Sequence, residues 1–159
     1  MEKFLTIIDL HCDLLCYLQK DHARTPFDPQ VRCSLPQLQE GNVKTQVMAV
    51  FADTGKSSSI IGAEQIDIFL KLQNENSFFQ YGIDALLAIE NASSLLDEEE
   101  PLTSCFNRLD NLKKEEISPL YIGMTWNPEN RFGGGAATSI GLKPDGKTLL
   151  HYLDGKGIA

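Results

Sequence analysis

Apolar positions in this chain fall into short continuous runs separated by stretches of helical spacing. Residues 5–9 open the series, and "TQVMAVF" (45–51), "ALLAI" (85–89) and "LYIGM" (120–124) repeat it. Runs of this length predict strands buried on both faces. Between them the period changes. Ser34 predicts a cap for a short helix through "LPQLQE" that Gly41 stops, and 63–75 sets Ile66, Phe69, Leu70 and Gln73 along one side of a second helix. Leu102, Cys105, Phe106, Leu109 and Leu112 recur at helical spacing and end near Lys113 and Lys114, where cations suit a helix C-terminus. A last helix is predicted from near Pro144 to Gly155, after which Ile158 and Ala159 read as the start of a fifth strand. Apolar strands alternating with amphipathic helices predict an α/β fold with a parallel sheet covered by helices.

Composition narrows the class. With 159 residues, 42% of them hydrophobic, the chain is long enough for one domain with a real core. A formal charge of -8 and an isoelectric point near 4.8 argue against nucleic acid or an anionic membrane as partner, since both need concentrated Lys and Arg. Asp9 and His11 interrupt the N-terminal apolar run before a signal-peptide core forms, and no run approaches a membrane span. Four sparse cysteines (Cys12, Cys16, Cys33, Cys105) read as reduced thiols, so the expected setting is cytoplasmic. A structural zinc site from Cys12, Cys16, Cys33 and His11 is disfavoured because no C-x2-C knuckle is present. The acidic cluster "DEEE" (97–100) reads as a solvated helix start or loop. The glycines 133–135 read as a ligand cradle or a flexible segment, without the spacing or lysine of a phosphate loop.

Chemistry concentrates where the strands end. In parallel α/β folds, ligands bind beyond the carboxyl ends of the strands. The first run delivers His11 and Asp13, which share a side of an extended backbone. The third delivers Glu90 and Asn91, and the fourth Thr125, Trp126 and Asn127. An imidazole and carboxylates at one end of a sheet suit a divalent cation such as zinc. A hydrogen-bonded structural histidine is the competing reading of His11. His22 and His151 do not follow strands and read as surface residues.

Five segments taken in order, "DLHCDLL", "GNVKTQVMAVF", "AIENASSL", "YIGMTWNPENRFGGGA" and "GLKPDGKTLLHYLDGKGIA", resemble the membrane dipeptidase (renal dipeptidase, peptidase M19) family of amidohydrolase-like metal-dependent hydrolases. Members are (β/α)8 TIM barrels with two zinc ions bridged by a glutamate, and they hydrolyse dipeptides, some with a D-residue on the C-terminal side. The resemblance implies that His11 and Asp13 bind one zinc and that Glu90 is the bridging, catalytic carboxylate. It implies substrate contact by Trp126 and Asn127. Trp126 stands where members often carry a histidine, which alters that contact. The family's further ligands, two histidines and a late aspartate, come from strands five, six and eight, beyond the end of this chain. The resemblance therefore implies one truncated domain over 1–159, the N-terminal part of a barrel with about four β/α units.

Three functions follow as alternatives: a zinc dipeptidase completed by a separately encoded C-terminal half or by self-association, a non-catalytic remnant or interaction module that binds metal weakly, and another amidohydrolase-type metal enzyme.

Overall fold

A computed structural model describes residues 5–159. Three parallel strands, β1 (Ile7–Cys12), β2 (Val43–Val50) and β3 (Asp84–Ile89), form one sheet in the order β1-β2-β3. The helices between and after them are α1 (Leu14–Gln19), α2 (Leu35–Glu40), α3 (Ser58–Asn74), α4 (Ser77–Gln80), α5 (Leu102–Lys114) and α6 (Pro144–Lys156). The α/β class and the parallel sheet agree with the hydrophobic pattern. β2 is the central strand, and its residues 46–50 are all buried. Its pairing with β3 runs without a break from Thr45 opposite Asp84 to Val50 opposite Ile89. The β1–β2 ladder is irregular, with register shifts after Ile7 and between Asp9 and Cys12.

Several boundaries move from those predicted. The first strand is displaced toward Cys12, so His11 lies inside it and only Asp13 follows it. A helix then starts at once, with Leu14, Leu15 and Leu18 buried. The run 120–124 is not a strand. Ile122 makes one parallel bridge to Ile89, although Leu120 N–H donates to Leu87 O (2.8 Å) and Gly123 N–H to Ile89 O (2.8 Å). Pro119 brings no N–H to the start of this segment, and beyond Ile89 the chain turns into a 3-10 helix over Ala92–Ser94, so the ladder has nothing to extend along. Ile158 and Ala159 form no strand either, though Ile122 N–H donates to Ala159 O (2.8 Å).

The sheet curls. Three inter-strand spacings of about 4.8 Å would put the 120–124 segment about 14 Å from β1 in a flat sheet. Instead, the Tyr121 hydroxyl reaches Leu10 O at 3.1 Å across the sheet's mouth. Leu14, Leu15, Leu35, Met48, Phe69, Leu87, Leu96, Phe132 and Leu149 belong to one continuous core. β1 pairs only with β2 among the described residues, and its Ile8 and Leu10 are 65% and 60% exposed.

Candidate functional site

The polar mouth of the curled sheet is assembled by backbone geometry. Asp9, His11 and Asp13 all reach the mouth, with the register shift between Asp9 and Cys12 interrupting strict alternation along β1 and Asp13 standing as the first residue past the strand. Asp13 occupies the N-cap position of α1, yet its side chain caps nothing and its carboxylate remains available. Glu90 follows β3, where its N–H donates to Val50 O (3.0 Å) and ties it to the end of β2. These placements bring His11 Nε2 to 3.6 Å from Asp13 Oδ1 and 3.5 Å from Glu90 Oε2. One ligand atom from each of His11, Asp13 and Glu90 lies within 4.8 Å of the others.

Both nitrogen–oxygen separations exceed ordinary hydrogen-bond lengths. They suit ligands that share an ion, since tetrahedral ligands about 2.0–2.2 Å from a zinc lie about 3.3–3.6 Å apart. The donor set, one imidazole and two carboxylates, is also one that zinc accepts. Asp13 is the most exposed of the three at 66% of its side chain, His11 follows at 41%, and Glu90 is the most sheltered at 25%. Burial raises the Glu90 pKa, His11 opposes that shift, and the neighbouring Asp13 charge adds to it.

Tyr121 completes the surroundings of His11 and was not singled out by the sequence pattern. Its hydroxyl lies 3.0 Å from His11 Nδ1 as well as touching Leu10 O. Burial, and then the charges of Glu90, Asp13 and Asp9, hold its phenol above the ordinary range. No spacing rule links Tyr121 to a residue 110 positions earlier; only the curl of the sheet does.

An open cavity of about 770 Å³ adjoins the cluster. Asp9, Asp13 and Glu90 bring acidic groups to its wall, and Lys20, Arg24 and Arg32 bring basic ones. Trp126 also lines it and meets Phe51 edge to face, with ring centroids 5.0 Å apart. Asn127 is exposed and does not line this cavity; its backbone O accepts from Ala137 N–H (2.8 Å). Asn91 is fully buried instead of facing the mouth. Its Nδ2 donates to Ala52 O (2.9 Å), while its Oδ1 accepts from Asn130 (3.1 Å) and Ser93 N–H (3.2 Å), locking the turn after β3 to the long loop.

The remaining polar features are structural. A Cβ on Gly134 would sit 2.1 Å from Ile140 O and one on Gly135 2.1 Å from Trp126 O, so these glycines permit backbone contact and leave no space for a ligand. The four cysteines are free thiols, and none joins the His11, Asp13 and Glu90 cluster. His22 and His151 are exposed. Among the described residues, no helix is long and apolar enough to cross a membrane. Searches against models of protein families and against curated proteins give no match to this chain.

Proposed function

We propose that this chain is a zinc-dependent hydrolase of the membrane dipeptidase kind, with His11, Asp13 and Glu90 as metal ligands. The convergence of these three ligand atoms within 4.8 Å, from residues 77 or more positions apart in the case of Glu90, carries the reading (90 minus 13). The curl of the sheet, which lets the fourth segment touch β1, suits the first part of a (β/α)8 barrel with about four β/α units.

The bound cation would polarise a peptide carbonyl and make water more acidic. The chain's own residues supply the setting. His11 Nε2 and the carboxylates of Asp13 and Glu90 hold the ion and offset its charge. Lys20, Arg24 and Arg32 in the adjoining cavity suit the carboxylate end of a dipeptide, and the acidic cluster suits its ammonium end. Trp126 and Phe51 give an apolar wall against which a substrate side chain packs and which limits water. Asn127, next in sequence to Trp126, stays outside the cavity lining.

A non-catalytic interaction module that binds metal weakly is the second reading. It is favoured by β1, which forms strand pairs only with β2 among the described residues and exposes Ile8 and Leu10. A partner that pairs with β1, either a separately encoded second half or another copy, is part of both readings.

The test is calorimetric titration of the purified chain with zinc, beside Glu90→Gln, followed by hydrolysis of a dipeptide panel. One zinc per chain is expected, with affinity at least about tenfold lower in Glu90→Gln and turnover abolished in that variant. Absence of zinc binding by the unmodified chain would remove the metal reading. Zinc binding without turnover, alone and with added partner, would favour the interaction module.

A further inference from the structure

The Tyr121 hydroxyl touches two groups of β1, His11 Nδ1 at 3.0 Å and Leu10 O at 3.1 Å. It has one proton to give. The Leu10 carbonyl can only accept, so the hydroxyl proton belongs to that contact, and a lone pair on the hydroxyl oxygen is left for the ring. The nitrogen facing that lone pair must then bring a proton of its own. The opposite arrangement, with the hydroxyl donating to Nδ1, would set two oxygen lone-pair regions against each other at 3.1 Å with no proton between them.

We infer that Tyr121 is a positioning residue, which holds neutral His11 as the Nδ1–H tautomer and so presents the Nε2 lone pair to the space between Asp13 and Glu90. The consequence for metal binding rests on the preceding reading; the tautomer assignment does not. Nε2 is the nitrogen that faces both carboxylates, at 3.6 and 3.5 Å. A ring carrying its proton there would turn an N–H toward the ion's place and could not ligate. Histidine ligands elsewhere are commonly fixed through their second nitrogen by a carboxylate, a backbone carbonyl or water. Here a tyrosine serves, and its own orientation is set by a carbonyl of the residue preceding the histidine. The same two contacts link the 120–124 segment to β1, so the ring orientation depends on the sheet's curl.

Two-dimensional 15N NMR of the metal-free chain above the titration range of its histidines reads the tautomer directly. The unmodified chain is expected to give the protonated-nitrogen shift at His11 Nδ1 and the unprotonated shift at Nε2. In Tyr121→Phe the ring loses its acceptor, and the shifts are expected to move toward the Nε2–H form. Zinc affinity, titrated on the same samples, is expected to fall about 10–100-fold. An Nε2–H signal for His11 in the unmodified chain overturns the inference, and that reading requires no variant to fold. Unchanged ring shifts in a folded Tyr121→Phe overturn it as well. A correct tautomer in a chain that does not bind zinc would support the role of Tyr121 and overturn the metal reading instead.

Discussion

Asp97 supplies from a distant loop what a helix usually draws from its own N-cap residue. Ser57, at the cap of α3, adopts a left-handed conformation (φ 69°) and makes no side-chain cap. Asp97, 40 residues on, accepts from Ser57 N–H (3.2 Å), Ser58 Oγ (2.8 Å) and Ser59 N–H (2.7 Å). Burial pushes its pKa up, but the hydrogen bonds from Ser59, Ser58 and Ser57 together outweigh this, and the carboxyl is held below its ordinary value. Asp97→Ala is expected to cost about 1 kcal/mol of stability at neutral pH, read from urea denaturation. Because the folded pKa is depressed, the contribution is present above the unfolded value of about 3.9 and is lost as pH falls through the folded one. The two proteins should therefore converge in stability below about pH 4; a gap that persists in acid would mean the carboxylate's charge is not what stabilises the helix start. The sequence pattern makes "DEEE" a solvated segment. Its first residue caps a helix and Glu100 forms a paired contact with Arg108 (2.7 and 2.9 Å), neither of which is visible without tertiary proximity.

At the scale of elements, α3 shows why helix boundaries and faces drift in a sequence reading. Its start lies five residues before the predicted one (63 minus 58), in "SSIIG", a stretch with little helical preference of its own. The buried residues are Ser58, Ser59, Gly62, Gln65, Phe69 and Leu72; of the predicted face, Ile66 and Leu70 pack against the core's edge and Gln73 is exposed. Gln65 accounts for part of this rotation. Its amide bonds both the N–H and the C=O of Phe51 (2.9 and 2.7 Å), so a polar residue faces inward where hydropathy alone expects an apolar one. Gly62 accounts for another part, since a Cβ there would lie 2.0 Å from Ser94 O. Gly62→Ala is expected to destabilise the protein by about 1–3 kcal/mol despite alanine's better helix propensity. Stabilisation by this substitution in a thermal melt would show that α3 does not rest on the Ala92–Ser94 turn. The predicted α5 needed less correction. Cys105, Leu109 and Leu112 are buried as the spacing requires, and burial pushes the Cys105 thiol up to about 12. Alkylation at pH 8 should therefore leave Cys105 unmodified in the folded chain and reach it only in denaturant, as intact-mass analysis would show. On α6, Tyr152 stacks on Phe106 of α5 at a centroid distance of 4.3 Å and bonds Asp110 (2.7 Å), which joins the two helices.

For the whole molecule, the curl of the sheet produces both the candidate site and an exposed apolar edge. It folds β1 toward the 120–124 segment and brings His11 to Glu90, while Ile8 and Leu10 stay exposed on a strand that pairs only with β2 among the described residues. A free strand edge flanked by apolar residues favours pairing with another chain. Concentration-dependent association is expected in sedimentation velocity, and Ile8→Lys should weaken it without loss of helical signal. Equal association of Ile8→Lys and the unmodified chain would place any contact elsewhere. Ile8 lies on β1 three residues before His11, so zinc titration of Ile8→Lys checks that the strand is intact.

Local pattern determined the α/β class, the cores of β2 and β3, the helices α2, α5 and α6, and the candidacy of His11, Asp13 and Glu90. Each depends on periodicity or on a residue's position relative to its own strand, and both are local properties of the chain. Tertiary structure alone decided that 120–124 would make one bridge instead of a strand, that Asn91 would turn into the core, and that Trp126 but not Asn127 would line the cavity. It also decided the partnership of Tyr121 with His11. These outcomes depend on sheet curvature and on buried hydrogen bonds between segments dozens of residues apart, and no local period encodes either.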